Sequence, residues 1–184
     1  MKFLFDLGGV FFDWDPNHFY KDIFDKIEER EYFLNKVCND EWNIQQDAGR
    51  TIKEAESILI PKFPHYEEEI KMYYKNHRNM IRGTFNSSIQ ILDKLKKQNY
   101  ECYVLSNWSA ETFVGMTTEY PFLQSFNGLL ISGEDNMMKP NAEIYELAIT
   151  RFNLIPQETV FIDDKLENIE AAKKLKLKTI HLVD

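Results

Sequence analysis

The sequence predicts an α/β protein with a Rossmann-like three-layer core, a parallel sheet and a small all-helical cap inserted after the first strand. Three observations support this fold class. Residues 3–12 form an apolar run that one carboxylate and two glycines interrupt, which is typical of a buried parallel strand followed by a tight turn. Residues 15–83 have helical, charged patterning without a convincing strand. After Gly83, strand-like and helix-like segments alternate, as βαβ units require.

Local signals predict helix ends inside the inserted segment. Asp15-Pro16 has the residue types of an N-cap followed by a first helical position. Thr51 and Glu54 have the spacing of a capping box. Arg82-Gly83 is typical of the C-terminal end of a helix, here expected over about residues 66–82.

The segments after Gly83 predict the rest of the core in order. Ile89, Leu92 and Leu95 share one face of the first helix. We expect helices at 86–98, 109–118, 141–153 and 165–175, and strands at 100–105, 127–132, 159–162 and 178–183. The predicted domains are therefore an α/β core, residues 1–14 and 84–184, and a helical cap, residues 15–83.

Composition limits the possible partners and location. The 184 residues include 22 basic and 30 acidic side chains, a net charge of −8, which argues against non-specific binding to nucleic acid or to anionic membranes. Cys38 and Cys102 are the only cysteines and fit reduced thiols better than a disulfide framework. No apolar run reaches the length of a signal or membrane-spanning segment. We expect a cytoplasmic protein, with the oligomeric state left open.

Polar side chains with complementary chemistry follow four of the predicted elements. Ligands of open parallel sheets bind beyond the carboxyl ends of the strands, so we expect these side chains to meet there. The residues are Asp6, Ser106, Asn107, Lys139, Asp163 and Asp164.

Magnesium prefers oxygen ligands in near-octahedral geometry. Asp6, a backbone carbonyl of the following turn, and Asp163 with or without Asp164 can supply them. A phosphate arriving there would meet the metal, the Lys139 ammonium, the Ser106 hydroxyl and N–H groups of the turn. Asp6 could then attack phosphorus in line and form an aspartyl-phosphate that water hydrolyses. The backbone N–H of Asn107 is a further candidate for contact with the substrate.

Four ordered segments resemble the motifs of the haloacid dehalogenase-like hydrolase superfamily. They are FDLGGV, VLSNW, MKPNAEIYELA and VFIDDKLENIEAAKKL, and together they cover nearly the whole chain. The resemblance implies a catalytic nucleophile, a catalytic and phosphate-binding lysine, a phosphate-binding serine and a magnesium site with one backbone carbonyl ligand. These roles would belong to Asp6, Lys139, Ser106, Asp163 with Asp164, and the carbonyl of Gly8.

Two details refine the resemblance. The Asp163-Asp164 pair favours a magnesium-dependent phosphatase over a dehalogenase, because the dehalogenases lack this pair and use no magnesium. Most phosphatases of the superfamily have an acid–base aspartate two residues after the nucleophile, where this chain has Gly8. A positioned general acid typically contributes about 10²–10⁴-fold to the rate. Another group therefore replaces it, or the leaving group is good, or turnover is slow or absent.

The sequence also resembles bacterial sugar-phosphate phosphatases of the glucose-1-phosphate type, which share a DLGxV first motif. We therefore predict a phosphoric monoester hydrolase that uses Mg²⁺ and acts on a small phosphorylated metabolite, a sugar phosphate. The alternative is a non-catalytic or slow phosphate-binding regulatory protein, and a phosphomutase or dehalogenase fits less well. Asp13 is a candidate for the missing acid, although a carboxylate there is more often a solvated turn residue. Asn168 is a candidate to brace the acidic loop.

Overall fold

The computed structural model describes residues 1–183 and contains a five-stranded sheet and a separate two-stranded ribbon. The strands are β1 (Lys2–Phe5), β2 (Phe12–Trp14), β3 (Ile81–Thr84), β4 (Glu101–Ser106), β5 (Gly128–Ile131), β6 (Thr159–Asp163) and β7 (Lys178–His181). The large sheet has the order β5-β4-β1-β6-β7, and all of its neighbouring strands are parallel. The first strand therefore lies at the centre of the sheet, between β4 and β6.

Helices cover both faces of the large sheet, so the predicted three-layer α/β fold is confirmed. After β3 the helices are α6 (Asn86–Lys97), α7 (Ala110–Phe113), α8 (Met116–Glu119), α9 (Ser132–Asp135), α10 (Ala142–Arg151) and α11 (Leu166–Lys174), numbered after five helices between β2 and β3. Leu92 of α6 packs with Phe5 and Val104 on one face. Tyr145 of α10 and Ala172 of α11 pack on the opposite face.

The segment between β2 and β3, called the cap below, has a hydrophobic core of its own. Its helices are α1 (Asn17–Tyr20), α2 (Ile27–Tyr32), α3 (Asp40–Asp47), α4 (Ile52–Leu59) and α5 (Glu67–Lys75), and a π-helical turn covers Phe33–Val37. Trp42, Ile70 and Tyr73 are among the residues buried together there. Among the residues that the structure describes, no helix combines the length and the apolar character needed to cross a membrane.

One of the two predicted caps forms as expected, and the other lies one residue away. Helix α1 begins at Asn17 with Pro16 as its N-cap residue, while the N–H of Asn17 donates a hydrogen bond of 2.8 Å to Asp15 Oδ1. At the start of α4, Thr51 and Glu54 form a reciprocal capping box.

The predicted helix over 66–82 is wrong at its C-terminal end. Helix α5 ends at Lys75, a 3₁₀ turn covers His77–Met80, and the chain then enters strand β3. Strand β3 runs antiparallel to β2, with Phe12 opposite Thr84. Pairing with β2, which is distant in the sequence, makes this segment extended. The local spacing of residues does not reveal such pairing.

The apolar run 3–12 forms a strand followed by a turn, as expected, because β1 ends at Phe5. The turn then leads into a second strand, β2, which was not predicted. One further predicted element is divided. The predicted helix 109–118 is divided into α7 and α8 at Gly115, which has φ +85°. A left-handed residue cannot continue an α-helix, and glycine adopts this conformation without steric cost.

Candidate active site

Three neighbouring strands of the sheet deliver their terminal polar residues to one place. Asp6 follows β1, Ser106 ends β4 and Asp163 ends β6. The loop after β5 and α9 adds Lys139, whose Nζ lies 3.0 Å from Asp6 Oδ1 and 2.6 Å from Asp163 Oδ2. The structure thus places one ammonium between two carboxylates at the carboxyl edge of the sheet.

Lys139 is almost inaccessible to solvent, with 1% of its surface exposed. Burial by itself would lower its pKa, but the negative charges of Asp6 and Asp163 outweigh burial and the Lys139 pKa is raised. The side chain is therefore a cation at neutral pH. An unpaired buried ammonium would be very unfavourable, and here Asp163 and Asp6 both pair with it.

Asp6 is a buried carboxyl with a raised pKa. Burial is the largest cause, the charge of Lys139 opposes it, the charge of Asp163 adds to it, and the resulting pKa is about 6. The N–H of Leu7 donates a hydrogen bond of 2.7 Å to Asp6 Oδ1. At neutral pH the carboxyl is mostly ionised, as a nucleophile must be.

Carboxylate oxygens of Asp6, Asp163 and Asp164 lie within 4.8 Å of one another. Asp164 Oδ1 is buried and has no hydrogen-bond partner among the described residues. Burial, followed by the charge of Asp163, raises the Asp164 pKa. Three converging carboxylates and one oxygen without a donor are a suitable ligand set for a hard divalent cation such as Mg²⁺.

The glycine turn after β1 leaves the space that the Asp164 carboxylate occupies. Gly9 has φ +67°, and a Cβ atom there would overlap the Asp164 carboxylate. A side chain at this position would therefore displace one of the candidate metal ligands. Gly8 differs, because a Cβ atom there would meet no heavy atom within 4 Å. Beside Gly8 the site is open.

Asn168 braces the acidic loop. Its Nδ2 donates to both carboxylate oxygens of Asp163 at 3.0 Å, and the N–H of Lys165 donates to Asp163 Oδ1 at 2.8 Å. His181 Nε2 lies 2.9 Å from the carbonyl oxygen of Asp164. These contacts fix the orientation of the first carboxylate and the backbone of the second.

The two residues at the end of β4 differ in their surroundings. Ser106 Oγ is buried and makes no hydrogen bond of good geometry with the described residues, although it is near enough to Asp6 to lower the pKa of that carboxyl. Its hydroxyl can donate to a phosphate. The side chain of Asn107 contacts the backbone of Lys139 twice, donating to its carbonyl and accepting from its N–H, both at 2.9 Å. Asn107 therefore positions Lys139, a role that the sequence analysis missed in favour of its own N–H.

Asp13 is occupied elsewhere. Its carboxylate lies 2.6 Å from Arg82 Nη2 across the ribbon and 3.1 Å from His18 Nε2. The hydrogen bond with His18, opposed by slight burial and reinforced by Arg82, lowers the Asp13 pKa. An ion-paired carboxylate of lowered pKa holds no proton to donate at neutral pH, which argues against Asp13 as the missing acid.

A carboxyl that the sequence analysis did not consider lies close to the site. Asp47 is the last residue of α3, which packs against α9 of the core. Burial raises the Asp47 pKa to about 7, with the charges of Lys165 and Lys139 opposing and that of Asp6 adding. No local sequence signal distinguishes Asp47 from the other acids of the cap.

Comparison with known proteins shows a family match over nearly the whole chain. Residues 3–182 match the family model described as "Haloacid dehalogenase-like hydrolase". A sesquiterpene phosphatase from Aspergillus oryzae is 27% identical, over 98% of this chain and 89% of its own length. A phosphorylated carbohydrates phosphatase from Thermotoga maritima is 20% identical, over 97% and 82% respectively. These relatives are phosphatases.

Solved structures have the same fold. One is a haloacid dehalogenase family enzyme from Bacteroides thetaiotaomicron, solved in complex with magnesium and inorganic phosphate. It is 25% identical, with a TM-score of 0.73, and the superposition covers 98% of this chain and 92% of that one. At this coverage, the superposition includes both the five-stranded sheet and the cap of this chain.

Proposed function

Because this chain belongs to the haloacid dehalogenase-like hydrolases, we propose that it is a magnesium-dependent phosphatase of small phosphorylated metabolites, sugar phosphates in particular. One observation carries the proposal. A buried ammonium, that of Lys139, lies between the carboxylates of Asp6 and Asp163, and a third carboxylate, that of Asp164, converges on the same point. This arrangement offers cations to a phosphate while leaving one carboxylate able to attack it.

Each residue then has a distinct role. Asp6 is the nucleophile that forms the aspartyl-phosphate, and Lys139 and Ser106 bind phosphate oxygens. Asn107 holds the Lys139 backbone through its side chain, and its own N–H is a further donor to the substrate.

Asp6, Asp163, Asp164 and the carbonyl of Gly8 would hold Mg²⁺. The bound ion supplies positive charge that neutralises phosphate oxygens and aligns the phosphorus with the nucleophile. The convergence of the three carboxylates and the free oxygen of Asp164 fit such an ion. Asn168 supports the site by fixing the orientation of Asp163.

The Thermotoga maritima relative, a phosphorylated carbohydrates phosphatase, supports the sugar-phosphate substrate class. The resemblance of the first motif to glucose-1-phosphate-type phosphatases supports it as well. The cap lies over the carboxyl edge of the sheet, where α3 meets α9, so cap side chains would contact the part of the substrate beyond the phosphate and exclude water.

A phosphate-release assay over a panel of phosphate monoesters tests the proposal. We expect release with Mg²⁺, loss of release when EDTA removes the ion, and loss in Asp6→Asn. Asp13→Asn is a matched control, since this carboxylate is ion-paired outside the site, and it should retain activity. Undiminished release in EDTA or in Asp6→Asn would refute the proposed mechanism.

The absence of a side chain at Gly8 favours a second candidate, a phosphate-binding regulatory protein. Without a positioned acid, an aspartyl-phosphate on Asp6 could form and persist. Incubation with acetyl phosphate and Mg²⁺, followed by desalting and intact mass measurement, separates the two functions. A stable phosphorylated species without released phosphate supports the regulatory candidate, whereas multiple turnovers support the phosphatase.

A further inference from the structure

Direct displacement at phosphorus places the leaving oxygen opposite the attacking one. Asp6 attacks from the carboxyl edge of the sheet, so the leaving oxygen points away from the sheet and towards the cap. The bond to an alkoxide or phenoxide breaks readily only when the oxygen receives a proton. The donor must therefore be sought on the cap side, and the carboxylates of Asp163 and Asp164 are unsuitable because they face the metal position.

Asp47 occupies this side. It ends α3, the cap helix that contacts α9, and the backbone N–H of Ser109, in the loop after β4, lies near enough to lower the pKa of its carboxyl. The following loop is equally close to the core, because a Cβ atom at Gly49 would overlap the side chain of Asn136. Asp47 therefore lies where the cap meets the loops that surround Asp6.

We infer that Asp47 of the cap is the general acid that protonates the leaving group, and then the base that activates water for the second step. This inference rests on the proposed phosphatase function.

The protons and electrons balance over the two steps. In the first, Asp6 forms a P–O bond, the bond from phosphorus to the leaving oxygen breaks with its electron pair, and the Asp47 proton moves to that oxygen. In the second, the Asp47 carboxylate takes a proton from water as the water oxygen attacks phosphorus. The P–O bond to Asp6 then breaks, phosphate leaves, and both carboxyl groups return to their starting states.

The surroundings of Asp47 suit both steps. Burial and the charge of Asp6 favour its protonated form, while Lys165, Lys139 and the N–H of Ser109 favour the carboxylate, and its pKa is about 7. A group of this pKa can both give and accept a proton near neutral pH. The open space beside Gly8 leaves room for the substrate between Asp6 and the cap.

Three aryl phosphates of similar shape test the inference: phenyl phosphate, 4-nitrophenyl phosphate and 2,4-dinitrophenyl phosphate. Phenoxide needs a proton to leave, whereas dinitrophenoxide does not. In Asp47→Asn we expect the first turnover of phenyl phosphate, followed as phenol released before the steady state, to slow about 10²–10⁴-fold, while the first turnover of the dinitrophenyl ester stays close to the wild-type rate. Steady-state turnover of all three esters should also fall, because the second step loses its base. Asp47→Ala should reproduce this dependence on the leaving group. Asp40→Asn, at the exposed start of the same helix, should retain all three activities.

The pH dependence provides an independent readout. The first-turnover rate of phenyl phosphate in the wild-type protein should fall as the pH rises through about 7, where Asp47 loses its proton, and this limb should be absent from Asp47→Asn.

Equal losses in the first-turnover rate of all three esters in both Asp47 variants, or no loss in that rate with phenyl phosphate, would overturn the inference. Failure of the proposed function is distinguishable, since the wild-type protein would then release no phosphate from any ester.

Discussion

Replacing the proposed nucleophile by its amide, Asp6→Asn, should make the metal-free protein more stable while it abolishes turnover. The N–H of Leu7 and the ammonium of Lys139 both contact Oδ1 of Asp6, at 2.7 and 3.0 Å. Asparagine keeps this oxygen and both contacts. What the substitution removes is a buried negative charge, next to that of Asp163.

The magnitude follows from the pKa of Asp6, which burial raises from 3.8 to about 6. A displacement of this size corresponds to about 3 kcal/mol of folding free energy. Since the folded state holds the proton more tightly, stability is lost as the pH rises from about 4 to above 6. We therefore expect Asp6→Asn to gain up to about 3 kcal/mol at pH 8 and almost nothing at pH 4. For a chain of this size, the gain corresponds to about 6–12 °C in Tm.

Urea unfolding of both proteins in EDTA, at several values between pH 4 and pH 8, measures the difference. Titrating groups that do not interact with Asp6 contribute equally to both proteins and cancel. Asp47, whose pKa the charge of Asp6 raises, adds a smaller difference near pH 7. Equal or lower stability of Asp6→Asn at pH 8 would contradict the argument, because it would mean that the buried charge of Asp6 costs nothing in the folded state. Mg²⁺ should stabilise the wild-type protein more than the variant, since the variant lacks one anionic ligand.

Three further substitutions test the supporting structure. Gly9→Ala should weaken Mg²⁺ binding about 10–100-fold in calorimetry, since a Cβ atom there displaces Asp164; unchanged affinity would contradict that role. Asn107→Ala should lower the free energy of unfolding by about 1–3 kcal/mol and reduce turnover, because the backbone of Lys139 loses two hydrogen bonds. Trp42→Ala should cost about 3–5 kcal/mol in urea unfolding, because the indole is buried in the cap core; a loss below 1 kcal/mol would contradict this packing.

The parallel core could be predicted from the sequence because each of its strands has a buried apolar run and is followed by an amphipathic helix. Strand β3 could not be predicted in the same way. Its four residues include Arg82 and Gly83, which are equally typical of a helix end, and only pairing with β2 makes them extended. The division of one helix at Gly115 likewise depends on a left-handed backbone, which the presence of glycine permits but does not require.

The residues at the strand ends were predictable for a related reason, since parallel strands deliver their carboxyl ends to one edge. The role of the Asn107 side chain could not be predicted, because its hydrogen bonds go to the backbone of Lys139. That residue lies in a loop that follows the next strand. Asp47 lies in a charged segment with many acids, and only the packing of α3 onto the core distinguishes it from the others. Contacts between the cap and the core cannot be predicted from local sequence patterns.

The ribbon of β2 and β3 also bears on how this protein can change over evolution. Trp14 and Ile81, the residues where the chain leaves for the cap and returns from it, are opposite one another in the ribbon. Their separation is that of any antiparallel pair, roughly 5 Å, whatever the length of chain between them. Helices can therefore be gained, lost or exchanged in the cap without drawing β1 away from its neighbours. The cap can thus diverge faster than the sheet, except in α3, which must keep its contact with α9 of the core.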